Sequence, residues 1–236
     1  MIEDRGVSHE RVYLVLTVAL QVVLLAGVVG FIILGEWANG LLTGAVILLT
    51  LAPRLLRRPL RIDVPPEFQF AAAVFMFLAM FLGMGLGFYA RFPWWDLALH
   101  TASGFLLGIV GFIALFVING LDSRPEGMRP AFLAVFGFTF AVTLGVLWEI
   151  YEFLGDTLVP SWDMQIRREG VRDTMVDLIV DAAGAAVVAL LGYAYCRTGR
   201  FSFLADWVTS FLRRNPRLLS NKRAGQTRTA DPPDAK

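Results

Sequence analysis

The chain has 236 residues, of which 56% are hydrophobic and 17% charged, with a formal net charge of +1. A soluble domain averages about 45–50% apolar and about 25% charged residues. A mean hydropathy of +0.61 therefore excludes an ordinary water-soluble globule and points to one polytopic membrane domain. The single cysteine, Cys196, excludes an internal disulfide and any multi-cysteine metal site.

The N-terminal stretch MIEDRGVSHERVYLV mixes acids with Arg5 and Arg11. The apolar run that follows exceeds the about 7–15 residues of a signal-peptide core and ends in no small-x-small cleavage site. It is expected to be a retained first span, Tyr13–Leu34. About 20 apolar residues cross a ~30 Å hydrocarbon core, and five further runs follow in chain order. They are Asn39–Leu51 (extendable to Leu56), Phe68–Tyr89, Leu97–Ile118, Ala131–Phe153 and Met175–Tyr195. The second is short. It is expected to end at Pro53, before the basic, proline-broken loop RLLRRPLRIDVPPE.

After Cys196, the residues Phe201, Leu204, Trp207, Val208, Phe211 and Leu212 recur at helical spacing, followed by Arg213 and Arg214. That pattern predicts an amphipathic helix lying in the membrane interface. The remaining tail is polar and holds Pro232 and Pro233, which predicts disorder. The expected fold is thus all-α and integral to the membrane. Residues 1–12 form a cytoplasmic N-terminus, 13–197 a six-span domain, 198–214 the interfacial helix, and 215–236 a disordered cytoplasmic tail.

Orientation follows from lysine and arginine in the loops. Of the 21 Lys and Arg residues, only Arg91, Arg167, Arg168 and Arg172 fall on one side of a six-span topology. Both termini are therefore expected in the cytoplasm, with the protein in the cytoplasmic membrane. No Gly-rich phosphate loop and no basic–aromatic surface is present, so nucleic acid is not an expected partner. The lipid bilayer is.

The same topology gathers ionisable residues at the outer ends of spans 3 to 6: Arg91, Asp96, His100, Glu149, Glu152, Asp156, Asp173, Asp177 and Asp181. Residues three or four apart share a helix face, which pairs Asp96 with His100 and Glu149 with Glu152. Asp173, Asp177 and Asp181 step inward by about 6 Å each. Small residues continue these stripes, as in Gly104 and Gly108, Gly137, Ala141 and Gly145, Ala185 and Ala189, and Ala79, Gly83 and Gly87. Small residues every four positions let membrane helices approach closely. The expectation is a four-helix core of spans 3 to 6, opening outward into an acidic pocket.

Acids at bilayer depth cost at least ~2.5–3.5 kcal/mol each on insertion scales. If they converge, protons or a cation must balance them. Asp96, His100, Glu149, Glu152, Asp177 and Asp181 are candidate ligands for a divalent metal (Mg, Mn or Zn). Among them His100, Glu149 and Asp177 are candidate catalytic groups, with Arg91 balancing charge.

The segments WWDLALHTASGFLLG, LWEIYEFLGD and VRDTMVDLIVDAAGA together resemble the YjdF family of bacterial inner-membrane proteins. They are more distantly similar to VanZ-like proteins. The resemblance spans roughly residues 10–197 and implies a six-span membrane protein. It supports Asp96, His100, Glu149, Glu152, Asp173 and Asp177 as motif positions and implies no particular activity.

Three function classes fit these residues. A metal-dependent hydrolase or transferase would act on a lipid-linked or envelope substrate. A transporter would use the graded acids of span 6 to relay protons or bind a coupling cation. Six spans without an internal repeat are few for alternating access unless the chain forms a homo-oligomer. A non-catalytic protein would use the polar network to fix helix packing while its outer face docks an envelope partner.

Overall fold

The computed structural model describes residues 3–119, 129–158, 170–198 and 202–218. Among them every regular element is a helix: α1 (Glu3–Ile33), α2 (Trp37–Leu60), α3 (Pro66–Gly85), α4 (Phe88–Arg91), α5 (Trp95–Asn119), α6 (Pro130–Leu158), α7 (Val171–Thr198) and α8 (Ser202–Arg214). Six of these, α1 to α3 and α5 to α7, are long and apolar enough to cross a bilayer. The chain is an all-α, multi-pass membrane protein. Arg124, Arg167, Arg168 and the tail beyond residue 218 lie outside the described residues.

The chain divides into two units, Met1–Trp95 and Asp96–Lys236. In the first, α1, α2 and α3 pack around Leu24, Phe31, Val46 and Phe81. Gly27 makes the contact possible, because a Cβ there would stand 2.5 Å from the Phe81 ring. Phe31 meets Phe81 edge-on, with centroids 6.1 Å apart. One polar tie joins α1 to α2: Gln21 Nε2 donates to Thr50 Oγ1 at 3.2 Å.

Two boundaries differ from expectation. Helix α2 does not stop at Pro53 but continues to Leu60, with Pro53 and Pro59 inside it. A proline removes one backbone donor, yet in a membrane helix local adjustments re-satisfy the freed carbonyl. The helix ends instead at Arg61, whose φ of 55° is left-handed. Pro66 then opens α3, in the first turn, where no backbone donor is needed. The third span is also not one straight helix to Tyr89. It winds as an α-helix to Met76 and as a π-helix over Phe77–Gly85. The chain then turns at Gly87 (φ 71°) into the short α4. A Cβ at Gly83 would collide with the Tyr89 ring, so Tyr89 folds back over Gly83. Gly83 and Gly87 thus serve a local reversal. Within the second unit, small residues of α5, α6 and α7 build a close-packed core.

In the second unit that core forms as the stripes predict. A Cβ on Gly104 of α5 would run into the Asp181 carbonyl oxygen of α7, and one on Gly184 of α7 would run into the Thr101 carbonyl oxygen of α5. One turn further along, a Cβ on Gly108 would sit 3.1 Å from Val188. Phe112, 1% exposed, fills the space left by Gly137 of α6 and Gly192 of α7. Helix α8 turns its Leu204, Val208 and Leu212 stripe inward, where all three are buried. Its most apolar stripe therefore covers protein, not lipid. The chain stays ordered past Arg214: Asn215 is buried and its amide donates to the Phe211 carbonyl at 2.8 Å.

Close backbone contact at Gly184 makes it intolerant of bulk. Gly184→Leu is expected to lose at least the about 1–3 kcal/mol of a typical overpacked site. Gly30→Ala in α1, where nothing lies within 4 Å of the new Cβ, should be neutral or gain up to about 1 kcal/mol from helix propensity. Thermal unfolding of both variants in detergent checks this; equal losses would contradict the packing.

Candidate functional site

Asp96 and His100 lie one turn apart at the start of α5, Glu149 and Glu152 near the end of α6, and Asp177 in the second turn of α7. The glycine seams bring these turns together. His100, Glu149 and Asp177 are buried, and Asp96 and Glu152 are half-buried. His100 Nε2 lies 3.6 Å from Asp96 Oδ1 and 3.8 Å from Glu149 Oε1. Both distances are too long for hydrogen bonds.

Two sets of donors converge, Asp96–His100–Asp177 and His100–Glu149–Glu152, each with one ligand atom per residue within 4.8 Å of the others. Ligands about 2.1 Å from a shared ion stand ~3–4.2 Å apart, so small side-chain movements would close either set. The same His100 nitrogen approaches both Asp96 and Glu149. A neutral imidazole offers one lone-pair nitrogen. The two sets therefore describe one centre with up to five donors, not two ions bridged by His100.

Glu149 decides what the centre lacks. The residue is 4% exposed, and neither carboxylate oxygen has a hydrogen-bond partner. The Thr174 hydroxyl lies beside it without reaching hydrogen-bond geometry. An ionised carboxylate buried without a partner costs several kcal/mol. A cation placed among these donors, or a proton, removes that cost. The donor set fits a divalent ion chemically: one borderline nitrogen and hard carboxylate oxygens.

Asp181 stands apart from both donor sets. It lies one turn deeper and is 2% exposed. The Ser103 hydroxyl donates a short hydrogen bond to Oδ1, and Oδ2 presses against Gly145, where a Cβ would overlap it. Asp181 thereby ties α7 to α5 and α6 beneath the centre. Sequence reasoning gave Ser103 no role. Its signal is the spacing Asp96, His100, Ser103, which at i, i+4, i+7 marks one helix face.

The remaining expected residues fall around the rim. Glu152 Oε1 accepts a hydrogen bond at 2.9 Å from the exposed Trp148 indole, so Trp148 does more than mark an interface. Asp156 and Asp173 are half-buried and belong to neither donor set, and Arg172 is exposed in the first turn of α7. Arg91 belongs to the first unit, where it is exposed at the end of α4.

The family described as "Predicted membrane protein (DUF2238)" matches residues 13–198. The chain belongs to that family. It is the family to which the YjdF resemblance pointed. All five donors and the Ser103–Asp181 pair lie within the DUF2238 match. A protein of Thermotoga maritima, named only "Uncharacterized protein", is 32% identical over 140 residues, covering 59% of this chain and 68% of that one. No solved structure matches.

Removing the donor beneath the centre should be costly. Ser103→Ala takes away a hydrogen bond to a buried carboxylate and is expected to lower stability by about 1–3 kcal/mol. In a double-mutant cycle with Asp181→Asn, the two losses should fall short of additivity by about 0.5–3 kcal/mol. Thermal unfolding of the four proteins measures this. Strictly additive losses would show that the pair does not interact.

Proposed function

We propose that this DUF2238 chain holds one divalent cation at the Asp96–His100–Glu149–Glu152–Asp177 centre and acts as a metal-dependent hydrolase or transferase on a lipid-linked or envelope substrate. One observation carries the reading: Glu149 is buried, faces His100, and has no hydrogen-bond partner on either oxygen. The histidine nitrogen favours Mn or Zn over Mg, which prefers oxygen ligands and retained waters. A bound divalent ion would polarise a phosphoryl or acyl oxygen and activate water near neutral pH. Of the chain's own groups, His100, Glu149 and Asp177 would hold the reacting atoms and move protons, because they are the buried members of the centre. Asp96 and Glu152 complete it at the rim, and Asp181 fixes it from below.

The reading places the protein in the cytoplasmic membrane of a bacterium with both termini inside, because the lysines and arginines cluster in loops on that side. The centre then faces outward, α8 lies at the inner interface, and the tail beyond it is cytoplasmic. A second reading, proton- or cation-coupled transport, draws on Asp181, a carboxylate one turn deeper than the centre.

Elemental analysis of detergent-purified protein separates these. The wild type is expected to carry about one Mn or Zn per chain, and Glu149→Gln and His100→Ala to lose at least tenfold in affinity. Folded wild type with no bound metal after incubation with each ion would sink the metal reading and move the balance of charge to protons. Topology is tested independently by reporter fusions after Lys236, which should be active only in the cytoplasm; periplasmic activity would reverse the orientation.

A further inference from the structure

The three helices that build the centre agree on its depth. At about 1.5 Å per residue, His100 lies ~28 Å along α5 from Asn119, Glu149 ~28 Å along α6 from Pro130, and Asp177 ~31 Å along α7 from Thr198. Each path is close to the ~30 Å thickness of a bilayer's hydrocarbon core. With the opposite ends of the helices at one boundary, the centre sits at the other, level with lipid headgroups. Trp148 and Tyr151 of α6 are exposed at that level, as aromatic side chains are at membrane interfaces.

The centre is not walled off on the α6 side. Glu152 is both a donor of the centre and the acceptor of the indole of Trp148, a side chain 49% exposed. Leu147, Tyr151 and Leu154 beside it are exposed too. One polar pair, Trp148–Glu152, thus stands between the donors and the lipid-facing flank of α6. The N-termini of α5 and α7 lie within two turns of the donors, and helix N-termini favour anions.

We propose that the centre opens sideways to the bilayer at the Trp148–Glu152 edge and takes the phosphate headgroup of an anionic lipid. This rests on the cation reading above, because only a bound cation makes a carboxylate-lined site attractive to phosphate. Hard oxygen donors select a hard cation, which takes a phosphate oxygen in an open coordination position. A soluble phosphate would also meet the negative charge of Asp173, which is half-buried and near Asp96 and Asp177. A lipid is held at the right depth by its own tails, which raises its effective concentration at the edge. Trp148 is then a specificity residue, packing against the lipid backbone while its indole holds Glu152.

The test uses full-length protein loaded with Mn2+ in phosphate-free maltoside micelles and reads the 31P hyperfine coupling at the ion by pulsed electron–nuclear double resonance. Phosphatidic acid should produce the coupling at concentrations at least tenfold below glycerol 3-phosphate or inorganic phosphate. Trp148→Ala, which also releases the Glu152 donor, should raise the phosphatidic acid concentration required at least fivefold more than it raises that for inorganic phosphate, both read on protein with Mn2+ bound. Equal responses to lipid and soluble phosphates, or no coupling with phosphatidic acid while Mn2+ is bound, would overturn the lipid inference and leave the cation centre standing. Wild-type protein that binds neither Mn2+ nor Zn2+ would overturn both.

Discussion

Everything in the second unit depends on how closely the backbones of α5, α6 and α7 approach around Asp181. Gly104 and Gly184 let α5 and α7 touch main chain to main chain, and Gly145 makes room for the Asp181 carboxylate against α6. A methyl group at Gly104 or Gly184 would meet main chain and force the helices apart, and one at Gly145 would displace the Asp181 carboxylate. Lipid offers no hydrophobic drive to bring such helices together, so contact area, the Ser103–Asp181 hydrogen bond and the fit of Phe112 against Gly137 and Gly192 carry the association. The centre lies one turn above this seam. Within each of its two donor sets the ligand atoms lie within 4.8 Å of one another, because the glycines below leave the helices no freedom to spread.

That geometry creates an electrostatic problem which packing alone cannot solve. Four carboxylates surround one imidazole, and the most buried surroundings go to groups without protein partners, the Glu149 oxygens above all. Membrane helices tolerate polar residues when these find each other. Asp181 does so through Ser103, and Glu152 through Trp148. Glu149 does not. A network meant only to fix helix packing gains nothing from a buried acceptor left without a donor, since an apolar side chain of similar size would pack there at lower cost. Glu149 lacks a partner on both oxygens and Asp181 on Oδ2 alone, so the two carboxylates, one turn apart in depth, differ in how far the protein itself satisfies them.

Much of this was legible in the chain. Apolar runs of about 20 residues locate the spans because a bilayer core admits little else. The four-residue stripes ending in Asp96, Glu149 and Asp177 identified the converging faces, because an α-helix repeats nearly every four residues. Span 3 shows where that period stops applying. Ala79, Gly83 and Gly87 share the four-residue period, but the period assumes α-winding, and Phe77–Gly85 winds as a π-helix. Its glycines therefore receive the Tyr89 ring and a left-handed turn. Pro53 was misread as a terminator because proline cost was judged by rules for water, where a freed carbonyl and a broken helix both find solvent. The roles of Ser103 and Trp148 depend on partners across or along helices whose rotation the sequence does not display.

The contrast between Glu149 and Asp181 also bears on which of the two could do chemistry. Asp181 is hydrogen-bonded through one oxygen and pressed against a backbone through the other, so a change in its charge would strain the seam that holds three helices. Glu149 is free of such duty. Neither of its oxygens is tied into the seam, and it faces His100 at 3.8 Å. A site that binds and releases ions or protons must change charge without repacking its scaffold. Placing the exchangeable group one turn above the load carried by Asp181 separates those demands along the helix axis. In the proposed placement the rigid part would lie in the hydrocarbon and the exchangeable part at the headgroup boundary.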